Sequence, residues 1–162
     1  MHHRAVTTTI RAEQRAFLEA ARTATLATIA PGGAPRLVPV CFVLGAGARP
    51  VLYIPLDEKP KDVEDPRELA RVRDITIDPR VSLLIERWSE DWANLAWLRL
   101  SGEATLVEPP DGPGEHAGAV AALRAKYAQY ATHRLDERPL IRIVVTGARS
   151  WGDLVLRRGV SE

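Results

Sequence analysis

The sequence contains a single cysteine, a single methionine and two phenylalanines in 162 residues. A disulfide needs two cysteines, and a cysteine-based zinc or iron–sulfur site needs several, so the lone Cys41 excludes both within this chain. Excess charge of one sign is also missing, because 22 lysines and arginines oppose 21 aspartates and glutamates. A chain so balanced has no general electrostatic attraction to nucleic acid or to an anionic membrane.

Long apolar segments are missing as well. The longest uninterrupted apolar run, Leu37–Leu44, has eight residues and contains a proline, whereas a membrane-spanning helix needs about 18 or more. The first residues are polar and lack the apolar stretch of a signal peptide. We therefore expect a cytoplasmic protein, and the length predicts one domain over residues 1–162.

The chain does contain short apolar segments separated by turn residues. Helical spacing of Ile10, Phe17 and Leu18 predicts an N-terminal amphipathic helix over residues 10–21. The β region covers about residues 25–148 and is followed by a tail over 149–162. Apolar runs bounded by glycine and proline predict six strands: Thr25–Ala30, Arg36–Leu44, Val51–Ile54, Val81–Glu86, Ala96–Val107 and Leu140–Ala148.

Turn and cap signals connect these strands. A glycine- and proline-rich turn between the first two predicts an antiparallel hairpin. Asp65-Pro66-Arg67-Glu68 opens a helix with an N-cap, a proline at the first helical position and a glutamate at the third, and Asp78-Pro79 ends it. Another helix is predicted over Glu115–Tyr130. Gly102, in the middle of the longest strand, indicates a bulge or a sharp bend.

The segment Arg36–Leu44 is apolar on both of its faces. Alternate residues form two sets, Val38, Val40 and Phe42 on one face and Leu37, Pro39, Cys41 and Val43 on the other. A strand buried on both sides needs two covers, and a closed barrel supplies one of them. We expect a partner subunit or a flat ligand to supply the other, and a helix of the same chain is the alternative. The pattern thus predicts a small barrel with an apolar outer face used for dimerisation.

No catalytic triad, metal site or nucleotide loop is evident. His116 and His133 have no acidic partner at ligand spacing, so we expect no metal. The glycines form no Gly-x-Gly-x-x-Gly or Gly-Lys-Thr pattern. Cys41 lies in an apolar strand, where a buried thiol is expected rather than a nucleophile.

A candidate anion site follows the third strand. Lys59 and Lys61 lie two residues apart in a proline-stiffened stretch between a strand and a helix, where phosphate-binding loops tend to occur. Arg67 and Arg71 share a helical face, with Arg73 at its border. Residues 57–80 hold six basic and eight acidic residues, so these side chains are alternatively ordinary solvated charges.

Tryptophans form a second group. Trp88, Trp92 and Trp97 fall within ten residues and account for three of the four in the chain. Such groups line ligand clefts and subunit interfaces about as often as they fill cores. The sequence leaves both alternatives open.

Taken in order, these segments resemble the pyridoxamine phosphate oxidase-like split-barrel flavoproteins. The resemblance is carried by Leu26–Ile29, Arg36–Phe42, Leu52–Pro55, Asp57–Lys61, Arg73–Ile75, Asp78–Leu84 and Trp97–Ala104. Lys59-Pro60-Lys61 and the segment from Asp91-Trp92 to Leu95-Ala96-Trp97 are similar to the actinobacterial branch that uses the deazaflavin coenzyme F420.

The resemblance implies a mainly β protein with flanking helices, a six-stranded antiparallel split β-barrel that forms a homodimer with cofactor grooves between its subunits. It implies an oxidoreductase that transfers a hydride between F420 and a small organic substrate, with the reactivity supplied by the cofactor. The resemblance implies no particular catalytic residue. The residues implied to bind the ring and phosphate tail, or to line the same groove, are Pro39, Val40, Ile54, Pro55, Lys59, Lys61, Arg73, Trp97 and Arg99.

Two departures argue against oxidation of vitamin B6. Where the pyridoxamine oxidases carry Arg-x-Val-x-Leu-Lys, this chain has Arg36-Leu37-Val38-Pro39-Val40-Cys41, and their Arg-Leu-x-Pro motif is missing. An FMN-dependent oxidase or reductase of the same fold is one alternative. A non-catalytic protein that binds F420 or heme is another.

Overall fold

The fold is that of a computed structural model that describes residues 9–57, 64–110 and 114–155. Over these ranges the chain forms three α-helices and seven β-strands. Their order is α1 Ala12–Ala20, β1 Ala24–Ile29, β2 Pro35–Val40, β3 Val43–Leu44, β4 Val51–Pro55, α2 Ala70–Ile77, β5 Arg80–Arg87, β6 Ala96–Val107, α3 Glu115–Lys126 and β7 Leu140–Gly152.

All of these strands belong to one sheet in the order β2-β1-β5-β6-β7-β4-β3. Every pairing in it is antiparallel, including the predicted β1–β2 hairpin. The sheet is curled into a split half-barrel that carries the three helices, which confirms the predicted fold class. None of the helices in the described part of the chain has the length and apolar character needed to cross a bilayer.

The predicted strand Arg36–Leu44 is divided in two, so the prediction of six strands was wrong. β2 ends at Val40, and the chain turns before β3 begins at Val43. At the turn, the Phe42 N–H donates to the Tyr127 hydroxyl (3.1 Å), and the Phe42 carbonyl accepts from Lys126 Nζ (3.0 Å). Side chains of the last residue of α3 and of the residue after it thus bind the backbone groups that a neighbouring strand would otherwise pair.

Smaller differences concern the ends of the other elements. The predicted helix at Asp65 begins as a 3₁₀ turn capped by the Asp65 carboxylate, and α2 starts only after Leu69, whose backbone is extended. The third helix ends at Lys126 and a 3₁₀ turn follows it. The last strand continues to Gly152, so residues assigned to a tail belong to the sheet.

Side chains from the inner face of the sheet form the core. β6 shows the predicted alternation, because Leu98, Leu100 and Ala104 are buried. A larger cluster joins these residues to α1 and α2, and includes Leu18, Leu26, Phe42, Val72, Leu83 and Ile143. A smaller cluster lies under α3 and includes Tyr53, Val120, Leu123, Tyr127, Tyr130 and Leu140.

The bulge predicted at Gly102 is confirmed by a register shift between Ser101 and Gly102 in the β6–β7 ladder. A Cβ at Gly102 would lie 2.6 Å from Ile143 Cγ2 and 2.7 Å from the Val144 carbonyl oxygen. Gly102→Ala is therefore expected to lower the free energy of unfolding by about 1–3 kcal/mol through overpacking. Urea unfolding measures the change. The matched control is Gly147→Ala, whose Cβ would meet its nearest atom at 3.9 Å; equal losses would contradict the prediction.

Candidate functional site

One side of the sheet, called here the outer face, carries the residues of β2, β1, β5, β6 and β7 that alternate with the core residues. The ladders align these residues across the strands. One row runs from Pro39 through Thr25, Leu84 and Arg99 to Arg149. The neighbouring rows are Leu37, Ala27, Ser82, Ser101 and Gly147 on one side, and Glu86, Trp97 and Trp151 on the other.

The outer face exposes large apolar side chains. Leu37 is 67% exposed, and Leu84 and Trp151 also belong to the exposed large hydrophobic residues. Pro39 is exposed beside them. The second apolar face predicted for residues 36–44 therefore exists within β2, and in the protomer it remains open to solvent.

A shallow cavity of about 200 Å³ lies on this face and is lined by Leu84, Glu86, Trp97 and Arg99. The Arg99 guanidinium lies 5.7 Å from the centre of the Trp97 ring. Arg99 makes no hydrogen bond or ion pair with any residue that the structure describes. An aromatic surface, an aliphatic side chain and one charged group of each sign, Glu86 and Arg99, suit a flat ring that carries polar or charged substituents.

A buried carboxylate anchors α2 against β1. Asp74 is 1% exposed, and its Oδ2 accepts hydrogen bonds from Thr28 Oγ1 (2.7 Å) and Arg36 Nε (2.8 Å). Burial raises the pKa of Asp74, but the hydrogen bonds from Arg36 and Thr28 outweigh it and hold this pKa below the usual range. Arg36 thus forms an ion pair with Asp74 that stabilises the fold.

A second buried carboxylate lies where β4 ends. Asp57 Oδ2 accepts a hydrogen bond from the Tyr130 hydroxyl (2.8 Å), and Arg138 Nη1 donates to the carbonyls of Leu56 and Asp57 (3.2 Å each). Burial, together with hydrogen bonds to Cys41 and Asp57, raises the pKa of Tyr130. These bonds fix the point at which the chain leaves the sheet, just before the candidate anion site predicted at Lys59 and Lys61.

The predicted cofactor residues fall into two groups. Trp97 and Arg99 line one cavity, and Pro39 lies on the same face about 14 Å away, three strand spacings from Arg99. Ile54 and Pro55 lie elsewhere, on β4. Val40 and Ile54 are buried in the core, so their side chains cannot contact a cofactor and only their backbone remains available.

The second group is far from the first within one protomer. Ile54 pairs with Ile141, which pairs with Leu106 near the end of β6. Trp97 is near the start of β6, so about 30 Å of strand separates the two rows. Arg73 is exposed on α2. Lys59 and Lys61 lie outside the described residues.

Sequence reasoning missed Trp151. The β6–β7 ladder places it opposite Trp97, at 53% exposure, although the sequence assigned it to a tail. Its position after the alternating run of β7 is the signal that could have found it. Trp88 and Trp92 are exposed as well, so these tryptophans do not fill the core.

The two histidines in the described residues lie away from the outer face. His116 is buried on α3, with Nε2 at 2.6 Å from the Arg138 carbonyl oxygen. His133 makes an edge-on contact with the Tyr130 ring. Within the described ranges, no group of three or more histidine, cysteine, aspartate or glutamate side chains could hold a metal ion.

Comparison with known proteins identifies a family and a fold. The family model of pyridoxamine 5'-phosphate oxidase matches residues 10–152. A conserved hypothetical protein of Mycobacterium tuberculosis is 23% identical over 94% of this chain and 90% of its own, with a TM-score of 0.66. No curated protein gives a significant match.

Two further solved structures carry a ligand in their names. A heme binding protein of Mycobacterium smegmatis is 26% identical, with a TM-score of 0.63, over 89% of this chain and 56% of its own. A FAD-binding protein of Mesorhizobium loti is 20% identical, with a TM-score of 0.54, over 88% of this chain and 93% of its own. Because the Mesorhizobium loti protein is only 20% identical, its similarity shows the fold alone.

Proposed function

The chain belongs to the pyridoxamine 5'-phosphate oxidase family, and from this membership we propose that it is an F420-dependent oxidoreductase that acts as a homodimer. The reaction is hydride transfer between F420 and a small organic substrate. The observation that carries the proposal is the cavity on the outer face, where Trp97 and the unpaired Arg99 present an aromatic surface and a cation to solvent.

The residues at this cavity fit a flat cofactor ring with polar and charged substituents. Leu84 and Trp97 would contact the ring, and the Arg99 guanidinium would pair with its polar or acidic substituents. When bound, F420 supplies the hydride chemistry, so the protein needs no nucleophile of its own. The side chains of the cavity would bind and orient the ring and exclude water from it.

A second protomer completes the proposed site. Among the described residues that family resemblance assigns to the cofactor, Trp97 and Arg99 lie near the start of β6, whereas Ile54 and Pro55 lie near the level of its end, too far away for one small molecule within a protomer. A dimer built on the outer face would bring the cavity of one protomer toward residues of the other. In this arrangement Pro39, Pro55, Lys59, Lys61 and Arg73 remain predicted contacts, and Val40 and Ile54 remain so through their backbone groups alone.

The preference for F420 over other cofactors rests on the sequence. Lys59-Pro60-Lys61 and the tryptophan-containing segment after Asp91 are similar to the F420-using branch, and FMN is the second candidate from the same family resemblance. The similarity to the heme binding protein of Mycobacterium smegmatis supports a non-catalytic heme-binding protein as a further candidate. Against this, His116 and His133 already contact other groups away from the outer face.

The direct test is a fluorescence titration of the purified protein with F420, with FMN and heme titrated in parallel. Micromolar or tighter binding of F420 alone supports the proposal and justifies a screen of activated alkenes and quinones as substrates. Tighter binding of FMN or heme assigns the protein to that cofactor. Failure to bind F420 overturns the proposal.

The aromatic wall of the cavity gives a second test. Trp97→Ala is expected to weaken F420 binding about tenfold, because it removes the ring that would contact the cofactor. The control is Trp88→Ala, which removes an exposed tryptophan outside the cavity and should leave affinity within about twofold. Isothermal titration measures both. Equal affinities for the two variants would place the cofactor elsewhere.

A further inference from the structure

A cavity of about 430 Å³ lies between α1 and the end of β5. β1 pairs only with residues 82–84 of β5, so the last residues of β5 continue past it and face α1 instead. The helix presents Ala16 and Ala20 to this cavity, and Leu154 and Val155 line another side. Because an alanine side chain is a single methyl group, space remains between the helix and the strand. The volume lies within the range of about 300–1,000 Å³ that is typical of small-molecule sites.

The lining of this cavity is mostly apolar. Phe17 and Ile85 belong to the main core cluster, and Leu154 packs against it. Ala16 and Ala20 are exposed, so the cavity reaches the surface of the protein. Protein interiors are usually close-packed, and an apolar space that core residues border and solvent can enter is suited to an apolar ligand.

One wall of the cavity carries a cation, Arg87. Its Nε donates to the Asn94 carbonyl (2.8 Å), and its Nη2 donates to the Asp153 carbonyl. The Asp153 carboxylate accepts from the Val155 N–H instead, and no carboxylate of the described residues forms an ion pair with Arg87. Backbone carbonyls occupy some of the guanidinium donors but do not neutralise the charge, so further N–H groups of Nη1 and Nη2 can bind an anion.

The charge of Arg87 lies beside the apolar wall. Its guanidinium is 5.6 Å from the centre of the Phe17 ring. An anionic group bound by Arg87 would therefore place the rest of its molecule against Phe17 and the alanines of α1. Glu86 also lines the cavity, but neighbouring side chains of a strand point to opposite sides, and the Glu86 side chain belongs to the outer face. Arg87 thus favours a ligand with a negative charge.

We propose that this cavity binds a small apolar molecule that carries one carboxylate group. The two carboxylate oxygens accept hydrogen bonds from Nη1 and Nη2 of Arg87. The apolar body of the molecule is buried against Phe17, Ile85 and Leu154. This site is separate from the cavity proposed for the cofactor, with which it shares only Glu86, and it does not depend on which cofactor the protein uses.

The test uses N-phenyl-1-naphthylamine, a neutral probe that fluoresces in apolar surroundings, with decanoate as the competing carboxylate. Decanoate should displace the probe from the wild type at concentrations at least about tenfold lower than 1-decanol does, because a hydrogen bond to a charged group contributes that much to affinity. The two competitors have the same chain length, so the comparison isolates the charge. Equal potency of decanoate and 1-decanol would overturn the proposal.

Two substitutions locate the binding site. Arg87→Gln keeps an amide donor for a backbone carbonyl but removes the charge, so it should weaken decanoate binding at least about tenfold and leave binding of the neutral probe unchanged. Ala20→Trp fills the cavity from an exposed position at the end of α1 and should abolish binding of both. Melting temperatures of the ligand-free variants show that they fold, and Ala16→Leu replaces Ala20→Trp if that variant does not.

Each substitution has a matched control. Arg15→Gln removes an arginine of α1 that donates to the Gly47 carbonyl and pairs with Glu19. Ala122→Trp fills a separate cleft between α3 and β3. Both control variants should keep the wild-type affinities for the probe and for decanoate.

The remaining outcomes also decide the proposal. Undiminished decanoate binding by Arg87→Gln, or undiminished probe binding by the cavity-filling variant, would overturn it. A wild type that binds neither the probe nor decanoate would do the same. Probe binding that disappears as the protein concentration rises would show that a second copy of the chain occupies the cavity, against the proposal. None of these titrations contains F420, so their results are independent of the proposed function.

Discussion

Replacing Asp74 by alanine is expected to lower the free energy of unfolding by about 3 kcal/mol, at the low end of the cost of breaking a buried ion pair. Both of its hydrogen bonds, from Thr28 and from Arg36, would be lost. The loss is at the low end because the Arg36 side chain is 44% exposed and can regain water. Asp74→Asn keeps an acceptor for Thr28 and should lose less.

The pH dependence of this difference provides an independent check. The folded-state pKa of Asp74 is held below its unfolded value, so its contribution is fully present above about pH 4 and is lost as the pH falls through the folded pKa. Urea unfolding at several pH values should show the wild type and Asp74→Ala converging in acid. A constant difference down to strongly acidic pH would contradict the assignment.

A surface carboxylate is the control for Asp74. Glu137 forms an exposed pair with Arg134 at 3.6 Å, and Glu137→Ala should change stability by only a few tenths of a kcal/mol. If it destabilises the protein as much as Asp74→Ala, burial is not the cause. Because Asp74 connects α2 to β1, Asp74→Ala should also weaken any binding that depends on the position of α2.

Replacing Leu37 by aspartate is expected to weaken the proposed dimerisation at least 100-fold, equivalent to about 2.7 kcal/mol. Leu37 is an apolar residue of the outer face and is largely exposed to solvent. In a dimer built on that face, an aspartate there would be buried without a partner. Sedimentation equilibrium measures the change, and the monomeric variant should lose F420 binding together with dimerisation.

The matched control for Leu37 is Ile77, which is 70% exposed but lies on α2 rather than on the sheet. Ile77→Asp should remain dimeric and bind F420 as the wild type does. If both variants remain dimeric, the outer face is not the interface. A wild type that sediments as a monomer at all concentrations would refute the dimer itself.

Local pattern was sufficient for much of the fold. The alternation of residues 96–107 predicted both the bounds of β6 and its two faces, because neighbouring side chains of a strand point to opposite sides. Gly102 predicted the bulge, since a side chain at that position has no room beside β7. Trp97 and Arg99 were predicted to share a groove by family resemblance, and they line one cavity.

Tertiary contacts decided the remainder. The strand predicted over residues 36–44 breaks because Tyr127, 85 residues away in the chain, binds the Phe42 backbone. Trp151 lies opposite Trp97 only because of the register of β6 and β7. The cavity beside Arg87 depends on the packing of α1 against the end of β5. Sequence periodicity reports which side of an element is buried, whereas hydrogen-bond partners depend on distances between segments that are remote in sequence.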